Sequence, residues 1–434
     1  MKLSENIRAL MGIITRKSSD RLFMHKVART GASFVLSKGV AFLAPIVLVG
    51  FVSLYDYGKV EYSYGIGRLF AGIAGCGLGG YPYFILKKGE SNKKAYFYGY
   101  GFVGIVASVL FLFLKLTWNL PVEFLFSYLF IFLFAIQGQY STILKTEDKG
   151  HKGVLVDSGY YFILTAVILS KIIYKDLQIL PVLMWLMWAY LCALSVFFLL
   201  RFIHLRRRLD NKLSFAELKE IVLYGLPLVL SGFIIYWLTS SARVYIGHLI
   251  GYEQVGIYSF YFRIVGISMV LQQFLYVTFF QKLYMGTSQF LDKYYTVMMI
   301  AIFVCCVLAC AVSVPIIRYF ITDKDFSDYK LMLLLCVQMP MWVGISFCEG
   351  LTGRENIVNK MNLRLGIVVG VIALLLLALG DYLDLHLFTL CMIFQFGIAF
   401  AAQLQLLGKK GVVLPKCKLF SIISIMLGVI IYML

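Results

Sequence analysis

The sequence predicts an all-α polytopic membrane protein: two six-helix lobes related by a parallel pseudo-two-fold repeat, with a thirteenth helix at the C-terminal end. Three observations lead there. Of 434 residues, 61% are hydrophobic and 14% charged, against roughly 25% charged in soluble domains. The mean hydropathy of +0.85 leaves more apolar side chain than an aqueous surface can accommodate, so lipid is the solvent. Runs such as 102–114 and 365–379 are continuously apolar rather than alternating, which selects helices over a membrane barrel.

Taken in order, the spans are expected at 29–53, 60–83, 95–116, 122–143, 152–174, 179–203, 220–249, 254–280, 295–318, 329–352, 361–380, 385–407 and 418–434. Each is long enough to cross a hydrocarbon core of about 30 Å. The first 28 residues are polar and basic and carry no cleavable signal, so the first span reads as an uncleaved anchor. Sorting the 40 Lys and Arg by alternate loops puts 29 on the side of the N-terminus, 7 on the other and 4 inside spans. The positive-inside rule then predicts a cytoplasmic N-terminus. The same bias explains most of the +18 net charge. No loop is large enough to form a domain that docks nucleic acid. The nine cysteines show no CxxC and no paired Cys/His spacing, so they read as core thiols, and no metal site is expected.

The longest inward segment between spans, 204–219, ends in Ser214-x-x-Glu217, a capping box that starts the next helix. It divides the chain into a basic N-terminal segment (1–28), an N-terminal lobe (29–208), a C-terminal lobe (209–408) and a basic loop with the extra helix (409–434). Six spans is an even number, so both lobes start from the same side of the membrane, as a parallel repeat requires. Tyr57-Gly58-Lys59-Val60 and Val255-Gly256-Ile257-Tyr258 occupy equivalent places between the first two spans of each lobe. Both lead into a Tyr-rich helix that carries an arginine.

These segments also carry a family resemblance. Residues 218–258, opening with Tyr224-Gly225-Leu226-Pro227 and closing with Gly251 and Val255-Gly256-Ile257-Tyr258, resemble the start of the second lobe in polysaccharide exporters of the multidrug/oligosaccharidyl-lipid/polysaccharide superfamily. Residues 48–82, with Tyr57-Gly58 and the glycines 75, 77, 79 and 80, resemble the matching part of the first lobe. The branch most similar is the Wzx-type O-antigen flippase. Two departures stand out. The family often has Asp-Arg late in span seven, where this chain has Ala242-Arg243, so Arg243 lacks that carboxylate neighbour. The thirteenth helix exceeds the usual twelve.

Four cations fall inside spans: Lys38, Arg68, Arg243 and Arg263. A charge at the bilayer centre costs about 2.5–3.5 kcal/mol on insertion scales, so each needs a reason. By helical rise, Arg68 and Arg263 are expected about 12–14 Å below the outer surface. Lys38 is expected at similar depth from the inner side, and Arg243 shallower. Their helical faces are small or polar: Tyr236, Thr239, Ser240 and Gly247 around Arg243; Glu61, Tyr64, Gly65 and Gly72 around Arg68; Gly256, Ser259 and Gly266 around Arg263. Such stripes face protein or water rather than lipid. The competing reading has Arg243 snorkelling to the outer surface and the others paired with structural carboxylates. A cationic cavity suits an anionic substrate, because guanidinium groups hold phosphate oxygens bidentately. Among intramembrane carboxylates, Asp157 and Glu349 are candidates for H⁺ or Na⁺ coupling. The alternative is that each is capped or paired near the cytoplasmic surface.

The resemblance implies a flippase that moves a polyprenyl-diphosphate-linked oligosaccharide, of the undecaprenyl diphosphate type, from the cytoplasmic to the periplasmic leaflet. Substrate-binding falls to Arg68, Arg243, Arg263 and Lys38, and no cofactor is implied. Expected partners are membrane lipids and other polysaccharide-assembly proteins. A membrane glycan polymerase or ligase is the alternative from another class, disfavoured by the short outward loops. A small-molecule exporter of the same superfamily is a third reading. No Walker loop, HExxH or nucleophile elbow occurs.

Overall fold

The computed structural model describes residues 21–74, 122–146, 149–206, 215–270, 272–273, 286–320, 326–355 and 357–434. Among them every long element is a helix. These are α1 (Arg21–Leu48), α2 (Leu54–Ala74), α3 (Val122–Thr146), α4 (Gly150–Asp157), α5 (Gly159–Ile173), α6 (Ile179–Arg206), α7 (Phe215–Ser240), α8 (Ala242–Leu249), α9 (Tyr252–Gly266), α10 (Ser288–Phe320), α11 (Tyr329–Arg354), α12 (Val358–Leu379), α13 (Leu385–Gly408) and α14 (Pro415–Met433). Twelve of the thirteen expected spans fall on helix among the described residues, spans two and eight only over their described parts, 60–74 for the one and 254–270 with 272–273 for the other. The third, at 95–116, lies outside the described residues, as do Ser214 and the 208/209 lobe boundary. The protein is a multi-pass membrane protein.

Among the described residues, seven helices are long and apolar enough to cross a membrane, or nine when each bent pair counts as one span. Helix α2 is not in that set, because Asp56, Lys59, Glu61 and Arg68 all fall within it. Its packing resolves the conflict. It lies against α3 on one side and α7, α8 and α9 on the other, so its charges meet protein rather than lipid. Helices α11 and α13 form the core of the second half, with 83% and 67% of their apolar stretches buried. Helices α1, α6, α12 and α14 bury 22% each and turn the rest outward, as lipid-facing spans do.

Two spans are not continuous, which hydropathy did not indicate. Span five bends by 53° between α4 and α5, and span seven by 56° between α7 and α8. No proline sits at either break. At Ser158 and Ser241 the regular ladder gives way to tighter bonds: Ser158 N–H to Leu155 C=O at 3.2 Å, and Val244 N–H to the Ser241 carbonyl at 2.8 Å.

The halves meet where α2 crosses α9. The two helices start at the same end of the molecule, opposite the basic loops, and run in the same direction. Gly58 sits against the Tyr252 carbonyl, and Gly256 sits against the Leu54 carbonyl. Leu54–Gly58 and Tyr252–Gly256 share one spacing, so the contact is reciprocal, as a two-fold axis along the helices produces. A Cβ on Gly58 would lie 1.7 Å from the Tyr252 oxygen, and one on Gly256 would lie 2.5 Å from the Leu54 oxygen. Only glycine lets the backbones approach this closely. The chain reverses between α8 and α9 at Gly251, whose φ of 135° favours glycine. That tight reversal sets Arg243 and Ser259, each eight residues from Gly251, side by side.

Candidate functional site

Below the glycine crossing, one turn along α2, stands Glu61, with 1% of its surface exposed. It bridges two of the intramembrane arginines. Arg243 Nε donates to Glu61 Oε2 at 3.0 Å, and Arg263 donates to Oε1 from Nε at 2.9 Å and from Nη2 at 2.5 Å. Arg243 Nε also reaches Ser259 Oγ at 3.1 Å. Arg243 and Arg263 are buried too. Arg243 therefore does not snorkel: it points inward, its Cβ packed where Gly65 leaves room. The carboxylate missing at position 242 is supplied from α2, 182 residues away.

Arg68 stands two turns past Glu61 on the same helix. Arg68 lies fourteen residues, about 21 Å, from the start of α2 at Leu54. Its Nε donates to Tyr64 Oη at 3.1 Å, and its guanidinium lies 4.2 Å from the Phe134 ring centroid. Tyr64 is the hub. Its ring lies 5.4, 5.9 and 5.5 Å from the guanidinium carbons of Arg68, Arg243 and Arg263. Its hydroxyl also accepts a 2.7 Å bond from Tyr161. The ring offers all three cations favourable cation–π contacts.

All four predicted cations line one cavity of about 560 Å³, within the ~300–1,000 Å³ of small-molecule sites. Asp157 lines it as well, at the α4/α5 break. On α2 the lining begins at Tyr64 and on α9 at Phe262, both past the glycine crossing, so the cavity extends toward the basic-loop end. Polar Thr239, Ser240 and Gln273 join the wall beside Trp342. With Lys38, Arg68, Arg243 and Arg263 set against Glu61 and Asp157, the formal balance is +2. A second hollow, apolar and of about 490 Å³, opens between α1 and residues 267–270 and shares Lys38 and Phe42 with the first. Val35 and Leu43 in its wall are exposed on the outer face of α1.

Glu349 is exposed on α11 and does not line the cavity. Tyr64, Tyr161 and Tyr236 do line it, whereas Tyr261 accepts the Asp328 N–H. Gln137 and Gln395 donate to the Val156 and Leu238 carbonyls, which is helix-to-helix bonding. The functional residue that sequence reasoning missed is Glu61. Its signal was present as an acid seven residues before Arg68, but nothing in the sequence ties it to arginines about 200 positions away.

A comparison with curated protein sequences returns no match. A solved structure described as the inward-facing conformation of a multidrug resistance MATE family transporter of the MOP superfamily aligns over 94% of this chain and 98% of its own, with 13% identity and a TM-score of 0.46. The family described as polysaccharide biosynthesis protein matches residues 23–284. That segment contains both stretches in which the resemblance was read, and all four cavity cations. Matched over more than half its length, the chain belongs to the polysaccharide biosynthesis protein family.

Proposed function

We propose that the protein is a flippase for an oligosaccharide carried on polyprenyl diphosphate, moving it from the cytoplasmic to the periplasmic leaflet of a bacterial inner membrane. The observation that carries this is the convergence of four intramembrane cations on one cavity that holds fewer carboxylates than cations. In a low-dielectric slab, an anionic head group needs fixed counter-charge to cross. Arginine forks supply it in the geometry phosphate oxygens accept.

The apolar hollow beside α1 supports a lipid-linked cargo. It meets the charged cavity at Lys38, so a diphosphate there can leave its hydrocarbon tail on the lipid face of α1. Trp342 and Phe262 offer flat apolar faces to sugar rings. Closure at the Gly58/Gly256 crossing, with the cavity on the basic-loop side, corresponds to the state that loads from the cytoplasm. Transport then requires the halves to part at that crossing, as alternating access does. A cation-rich cavity disfavours organic cations as cargo.

The test is complementation of a strain deficient in glycan export, reading surface polysaccharide against retained lipid-linked intermediate. Arg68→Ala and Arg263→Ala are expected to abolish export while folded protein persists in the membrane. Full export by both variants refutes the assignment.

A further inference from the structure

The Glu61 triad spans the boundary between the halves. Its carboxylate comes from α2 and its arginines from α8 and α9. It lies one turn from the glycine crossing at which the two halves touch. Its two arginines line the cavity, whereas Glu61 does not. Each guanidinium therefore has the carboxylate behind it and the binding space in front.

We propose that Glu61 is an internal substitute for the substrate's anionic head group: a diphosphate takes its place on Arg243 and Arg263 and so releases the latch that holds the outer end closed. The proposal rests on the reading of a diphosphate-linked cargo. Three arguments lead to it. A carboxylate and a phosphate present oxygen pairs that a guanidinium fork binds in the same way. Parting the halves in the empty protein pulls Glu61 away from two buried cations, and an uncompensated buried charge is strongly unfavourable. A diphosphate brings at least two negative charges and compensates both arginines at once. A ligand shifts a conformational equilibrium only through its differential affinity for the two states. Here the difference arises because Glu61 occupies the arginines in the closed state alone. The empty transporter thus stays shut, and the cargo itself opens it.

The experiment uses the purified full chain, with farnesyl diphosphate as the probe and farnesol as its uncharged control. Closure is read as disulfide yield between Tyr55→Cys and Tyr252→Cys, whose rings lie 5.7 Å apart at the outer end; the parent chain without the pair gives the background. Farnesyl diphosphate is expected to lower that yield several-fold in the otherwise wild-type protein, and farnesol to leave it unchanged. Glu61→Gln is expected to bind farnesyl diphosphate at least tenfold more tightly and to show low yield without ligand. Glu61→Asp, which keeps the charge but shortens the reach, is expected to fall between and serves if the glutamine variant does not fold. Binding to both variants no tighter than to wild type, or a yield that the probe does not change, overturns the latch and leaves the anionic-cargo reading standing. Failure of the probe to bind any of the three proteins overturns the anionic-cargo reading and the latch with it.

Discussion

Gly58→Ala tests the outer closure directly. The new Cβ would lie 1.7 Å from the Tyr252 carbonyl oxygen, whereas ordinary contact begins at 3.4 Å. The neighbour is backbone in a helix, so no rotamer change relieves the clash, and α2 and α9 must separate. Overpacking costs about 1–3 kcal/mol, and a backbone obstacle places this site at the upper end. Alanine's better helix propensity, about 1 kcal/mol, applies equally when the crossing is open or shut and cancels. A shift of about 3 kcal/mol against closure is roughly a hundredfold in population. Gly256→Ala, with 2.5 Å of clearance, is expected to shift it by roughly 1–2 kcal/mol. Gly72→Ala, on the same helix with nothing within 4 Å, should not shift it. The assay is disulfide yield between cysteines at positions 55 and 252, with export measured in parallel. If Gly58→Ala matches Gly72→Ala, the crossing does not control the outer end.

The triad and the helix caps give further tests. Glu61→Ala should destabilise the protein by about 3–5 kcal/mol, because it strands buried arginines. Combining it with Arg263→Ala should cost less than the sum of the singles, with a coupling of about 0.5–3 kcal/mol in denaturation midpoints; strict additivity would mean the pair does not interact. Asp384 accepts the Leu387 N–H at 2.6 Å as the N-cap of α13, so Asp384→Ala should cost about 0.5–2 kcal/mol. Thermal unfolding in detergent checks this, and export by the folded variant should be unaffected.

The bundle was legible in the sequence because lipid imposes length and composition on every span. Twelve of the expected thirteen find a helix among the described residues. The polar stripes were legible too: the 3.6-residue period sets Tyr236, Thr239 and Ser240 on one side of α7, where they line the cavity that Arg243 joins from across the bend. The partner of Arg243 was not legible. Residue 242 was the natural place to seek a carboxylate, and the true one comes from another helix, where only tertiary packing brings it near. The breaks were hidden for a different reason: hydropathy runs straight through both, with no proline at either, although the Ser158-Gly159 pair is a known kind of kink site. The start of α2 was not legible from hydropathy either: the helix begins several residues before its apolar run, at a Ser53 whose hydroxyl and Asp56 bond reciprocally.

The reciprocal glycine contact bears on how tightly the membrane stays sealed. A passage closed by side chains leaks whenever rotamers flip, on picosecond to nanosecond timescales. Here the contact is between two main chains, and no side-chain fluctuation opens it. The separation that frees Gly58 frees Gly256 as well, so the crossing parts as a unit through collective helix motion, which belongs to microseconds and longer. The crossing is therefore expected to open rarely and as a whole, rather than through fluctuations of single side chains.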